Sequence, residues 1–187
     1  MGLFRDIFLP GDVRPVRRSR HDLHVLHAQS WAVDADGKLL WTDPWMSNIL
    51  HDEGEIAILS AYFDTDLSTY GAPPASLYLG LDNRTTPAEA DTLASLSGEP
   101  SGNGYSRKAI STTTGFTIAA SAPYNQATST TQSYTASGGT IGPVKNRFLC
   151  TVSTGTSGKL LATVALSTTR TLNDTDTLNT NIVLQLD

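Results

Sequence analysis

Apolar and polar positions alternate along the carboxyl-terminal half of the chain in short runs rich in Val, Ile, Thr, Tyr and Phe. A period of two is the signature of half-buried strands, and it predicts strands near Phe116–Ala119, Gln132–Ala136, Val144–Val152, Lys159–Leu166 and Leu178–Leu186. Gly138-Gly139, the stretch from Gly155 to Gly158 and Asn173-Asp174 supply the turns between them. Upstream the period changes. In HDEGEIAILSAYF, Asp52 is placed to cap a helix with Glu55 reaching back, and Ile56, Leu59 and Phe63 fall on one face, so a helix is expected over Glu53–Phe63, lying against a sheet. Gly71, Pro73 and Pro74 then break the chain before a strand at Ser76–Leu81. Thr86-Pro87-Ala88-Glu89 reads as a second helix start, with Leu93 and Leu96 on one side and Gly98 as the stop. Ser101-Gly102-Asn103-Gly104 then turns into a strand over Tyr105–Ile110.

Residues 1–45 follow different rules. Pro10, Gly11 and Pro15 interrupt any helix near the start, an arginine cluster follows, and LHVLHAQSWAV with the turn Asp34–Gly37 and Lys38–Trp41 reads as a hairpin on a tether. The expected architecture is mainly β: an antiparallel β-sandwich or jelly-roll-like body over residues 46–187, two short helices packed on it, and an extended N-terminal arm over residues 1–45.

At 187 residues and 20.0 kDa the chain supports one well-filled core. Charged residues make up only 17%, which leaves a surface of Thr, Ser, Asn and Gly suited to β structure and close subunit packing. The net charge of -5 argues against nucleic acid as a partner of the whole chain, since phosphate binding needs clustered cations. That charge is segregated. Arg5, Arg14, Arg17, Arg18 and Arg20 crowd the start, whereas acids dominate from Asp52 to Glu99. Cys150 stands alone, so no internal disulfide and no cysteine-based zinc site can form, and it reads as a small buried hydrophobe. No long apolar run predicts a membrane span, and the charges and Pro10 come too early for a secretory signal.

Candidate chemistry is sparse. His21, His24 and His27 would point to alternating faces of a strand, which suits hydrogen-bonded interface histidines better than metal ligands. His51, Asp52, Glu53 and Glu55 could be drawn as a hydrolytic group, yet helix capping already accounts for the acids. No Gly-x-Ser-x-Gly elbow occurs, and the glycine turn near Ser101 opens a strand instead of a helix, so it is not a phosphate loop. No catalytic, metal or cofactor residue is therefore assigned, and the protein is expected not to be an enzyme. The candidates that remain are interface residues. Arg14, Arg17, Arg18 and Arg20 would hold a carboxylate-lined protein surface through bidentate pairs. Trp31, Trp41 and Trp45 carry large aromatic surface that must be buried on the body or on a neighbouring chain.

The cassette Leu77–Ile110 joins these features to a family. Together with the opening Met46–Glu55, Tyr78-Leu79-Gly80-Leu81, Asp91-Thr92-Leu93, the Glu99–Arg107 turn and Gly142-Pro143-Val144, it resembles small structural proteins of tailed bacteriophages, tail-fibre-like or virion proteins, over Met46–Asp187. The resemblance implies a virion protein assembled in the bacterial cytoplasm, a homo-oligomer whose partners are capsid, neck or tail subunits. Head decoration and a tail or fibre adaptor both fit it. Residues 1–45 extend upstream of the resemblance and add arginines and tryptophans, as an attachment device would. The alternative is a carbohydrate-binding receptor-recognition module in which Tyr70, Tyr105 or Tyr124 stacks on sugar rings.

Overall fold

Without a disulfide to hold it, the chain is organised by backbone pairing. The computed structural model describes residues 27–63, 73–121 and 124–186. Its strands are β1 (His27–Val33), β2 (Leu39–Thr42), β3 (Met46–Leu50), β4 (Ser76–Asp82), β5 (Lys108–Ser111), β6 (Phe116–Ser121), β7 (Tyr124–Ser129), β8 (Gln132–Thr135), β9 (Ile141–Cys150), β10 (Leu160–Leu172) and β11 (Thr177–Leu186). One α-helix, α1 (Asp52–Phe63), and a 3-10 turn at Leu93–Ser95 are the helical elements among the described residues. The body is mainly β and wholly antiparallel in its pairing, as the period-two pattern predicts.

The strands form one path in the order β5-β4-β9-β10-β3-β1-β11-β7-β6, with β2 added on β1 and β8 on β11. This path folds back on itself. Three strands separate β9 from β11, a distance of about 19 Å in a flat sheet at ~4.8 Å per strand. Yet Arg147 on β9 reaches Thr180 on β11 at 3.4 Å and also donates to Ser30 on β1. Tyr134 on β8 donates to the Leu79 carbonyl of β4 at 2.7 Å. The half-sheet β5-β4-β9-β10 therefore faces the half-sheet β1-β11-β7-β6, and β3 is the seam that pairs with both. Ala28, Leu79, Leu149, Val164 and Ile182 meet between the halves, and Leu81, Tyr134, Ile141, Val144 and Leu178 form a second cluster. Burying these alternate positions is the main stabilising term.

Several expectations are corrected. The segment from Thr86 is not an α-helix: Asp91 accepts from the Ala88 amide at 3.1 Å and from Arg84 at 2.8 Å, tying the chain into a turn that ends in the short 3-10 element. The segment lies over the outer face of β4 and β9, where Leu93 packs against Phe148, Cys150 and Leu160. In α1 the expected apolar face is not the packed one. Gly54 and Ser60 are buried while Ile56 and Leu59 are exposed, because α1 lies so close to β10 that a Cβ on Gly54 would run into the Leu161 carbonyl. β3 and β7, not anticipated from the pattern, complete the sheet. The expected hairpin exists as β1 and β2, and β1 lies inside the sheet between β3 and β11.

Candidate interaction surface

The densest polar chemistry lies beneath the covering segment and is closed in on itself. His51, fully buried, presents Nδ1 to the Glu89 carbonyl at 3.2 Å and Nε2 to the Thr163 hydroxyl at 2.8 Å. Thr163 also accepts from Arg84 Nη2 at 2.7 Å, so the direction of the network assigns a neutral imidazole that donates from Nδ1 and accepts at Nε2. Burial lowers the His51 pKa and the nearby Arg84 charge adds to this, outweighing the opposing hydrogen bond to Glu89. Arg84 completes its fork on Asp82 at 2.8 Å and Asp91 at 2.8 Å, and Asn146 donates to the second Asp82 oxygen at 2.6 Å. Both ring nitrogens of His51 are occupied and sealed from solvent. The group is arranged to hold the segment Asn83–Asp91 on the sheet, with His51 as a fixed member of the network.

Two further clusters repeat the pattern. Arg107 forms a bidentate pair with Glu99 at 2.7 Å on each side and lies over the Phe148 ring. Cys150 sits beneath it, its thiol pKa raised by burial. The Tyr105 hydroxyl is held by the Leu81 amide and by Glu99, each at 2.9 Å, so Tyr105 is half-buried and stacked on Tyr134 instead of being presented to a sugar. At the end of β2, Asp43 pairs with Arg170 at 3.1 Å and accepts from Ser167, while Arg170 lies 4.2 Å over the Trp41 ring. Arg147 is buried between the half-sheets among hydroxyls and a carbonyl, and desolvation lowers its pKa to about 10, which still leaves it charged at neutral pH.

The hydrolytic group drawn from the sequence is not assembled. His51 faces inward, Glu53 accepts from the Leu160 amide at 2.9 Å and pairs with Lys159, and Asp52 and Glu55 are exposed. Of the interface candidates, Arg14, Arg17, Arg18 and Arg20 lie outside the described residues, as do His21, His24 and Tyr70. The tryptophans divide. Trp41 packs on the core under Arg170, Trp31 is half-buried on β1, and Trp45 is 52% exposed. Leu39, at 57%, and Leu40 are exposed on β2 beside the far end of β1, so the β1-β2 hairpin carries apolar surface turned to solvent, and Trp45 adds to it next to the strand pair at the start of β1. The most exposed large apolar residue among the described ones, Ile118 at 81% on β6, was not singled out from the pattern. The signal for it exists in the sequence, because residues 109–144 contain no Asp, Glu, Lys or Arg.

What the chain is comes from comparison with known families. Residues 46–184 match the sequence model of the family described as Podophage GP4 fiber I protein gp80. The chain belongs to this family. As a member of the fibre family it is a tail-fibre-like structural protein of a bacteriophage virion, which places it among other virion proteins. No curated protein and no solved structure matches it. The family match opens at Met46, the first residue of β3, so β1 and β2 precede the matched region although β1 is built into the sheet.

Proposed function

We propose that this chain is a non-enzymatic, fibre-type component of the virion whose β-sandwich body is fastened to a neighbouring virion protein by the basic segment preceding β1. The observation that carries this is the exposed aromatic surface of Trp45, next to Met46, which pairs with Ala28 at the start of β1, where a segment bearing Arg14, Arg17, Arg18 and Arg20 enters the sheet. Aromatic anchors ringed by arginine are the usual composition of an interface hot spot. The arginines would pair with carboxylates on the partner and set the register, while Trp45 would supply the buried area. Assembly onto the particle would take place in the host cytoplasm.

Because β1 is an internal strand, the test spares it. Deleting Met1–Arg20 is expected to leave thermal unfolding unchanged and to strongly reduce incorporation into particles, read by quantitative peptide mass spectrometry of gradient-purified virions. Trp45→Ala in the full chain is expected to reduce incorporation without altering the fold. Undiminished incorporation of both variants would overturn the proposal.

A further inference from the structure

We infer that β6 is a self-association edge, where a second copy of this chain pairs antiparallel with the first across a twofold axis near Ile118. The inference stands apart from the arm, since β6 lies at the opposite end of the strand path from β5 and on a different part of the chain. β6 ends the path, and no described strand pairs on its outer side. The Thr130 amide donates to the Gly115 carbonyl at 2.8 Å, in line with the register Phe116↔Ser129 through Ser121↔Tyr124. Antiparallel hydrogen-bonded pairs alternate, so Thr117 and Ala119 turn their backbone groups toward β7 and Ile118 turns its N–H and C=O outward.

Soluble proteins guard such edges with charge, proline or brevity. β5, at the other end, has four residues and carries Lys108. β6 has six residues, FTIAAS, with no charge and no proline, inside the charge-free stretch 109–144. The side chains extend the argument. Leu184, Ala127 and Ile118 lie directly opposite one another on successive strands, and Leu184 packs on the core. Ile118 shares the side of Phe116, which also packs on the core, yet Ile118 is 81% exposed. An apolar row therefore runs out of the core to the open edge and stops there. Symmetric pairing carries it on: Ile118 meets its own copy, and the row returns through Ala127 and Leu184 of the second chain.

The absence of charge selects a second copy as the occupant. In an isologous contact residues near the axis meet themselves, so any charge there would face its like. Two chains of net charge -5 also repel, and an uncharged seam adds nothing to that repulsion. A partner recognised by charge complementarity would require a charged edge.

The full chain is examined by sedimentation equilibrium at micromolar concentrations. The expected mass is twice the 20.0 kDa of one chain. Ile118→Lys sets like charges against each other, and Ile118→Pro removes an outward donor while sparing the bonds to β7. Both are expected to return the mass to a single chain with an unchanged circular dichroism spectrum and melting temperature. In the paired register the two Ile118 Cα atoms lie about 5.5 Å apart, within disulfide range. Ile118→Cys is thus expected to form a covalent dimer on mild oxidation, whereas wild type, whose Cys150 is buried, does not. A monomeric wild type, an oligomer undiminished in the Lys and Pro variants, or failure of the Cys variant to cross-link overturns the inference.

Discussion

Asp82, Arg84, Arg107 and Arg147 are all buried, although each would pass for a surface charge in the sequence. Nothing in residue type or spacing marks them, because groups that close over them lie far along the chain: Asn146 on Asp82, Thr163 on Arg84, Val152 on Arg107 and Thr180 of the facing half-sheet on Arg147. The capping reading of the acids around His51 left out that His51 itself turns inward. Two consequences follow at this scale. Arg84→Ala strands the fully buried Asp82 carboxylate without its counter-ion and is expected to cost about 3–5 kcal/mol in denaturant unfolding, part of which Asp82→Asn restores in the double variant. For His51, the pKa in the fold lies below 6.5, its value in the unfolded chain. The unfolded state therefore binds the extra proton first, so stability is intact above pH 6.5 and is lost as pH falls from there through the folded value. His51→Gln is expected to flatten that part of the unfolding free energy measured as a function of pH, relative to wild type.

At the scale of elements, period-two alternation located β4, β6, β8, β9 and β11 to within three residues, and the start but not the end of β10, which runs six residues past the expected Leu166, because each half-sheet has one face in the core. β7 and β3 escaped for a physical reason. β7, YNQATS, is polar because it lies near the open edge, and β3 is short and shared between two pairings. The start signal at Thr86-Pro87 was chemically sound, but the Arg84–Asp91 pair and the seating of Leu93 against Phe148 won over local helix preference. In α1 the amphipathic reading failed because the contact is made by the smallest residues. That makes Gly54 a sharp test. Helix propensity alone predicts that Gly54→Ala stabilises by about 0.5–1 kcal/mol, whereas collision with the Leu161 backbone predicts a loss of about 1–3 kcal/mol. The loss is expected, read as a lower denaturation midpoint.

For the whole molecule, the family was legible from the Met46–Glu55 opening and the Leu77–Ile110 cassette, and residues 46–184 carry the match. Strand order was not legible. Neighbours such as β1 and β11 come from opposite ends of the described chain, and hydrophobic period records which face is buried but not which strand lies alongside. The pairing His27↔Val183 has a mechanical meaning. A tether leaving residue 27 and a load applied at residue 186 would act on the same end of one antiparallel pair. Tension along that line would open β1 from β11 like a zipper, one hydrogen bond at a time, so a load on this part of the particle would be resisted by few bonds at any moment.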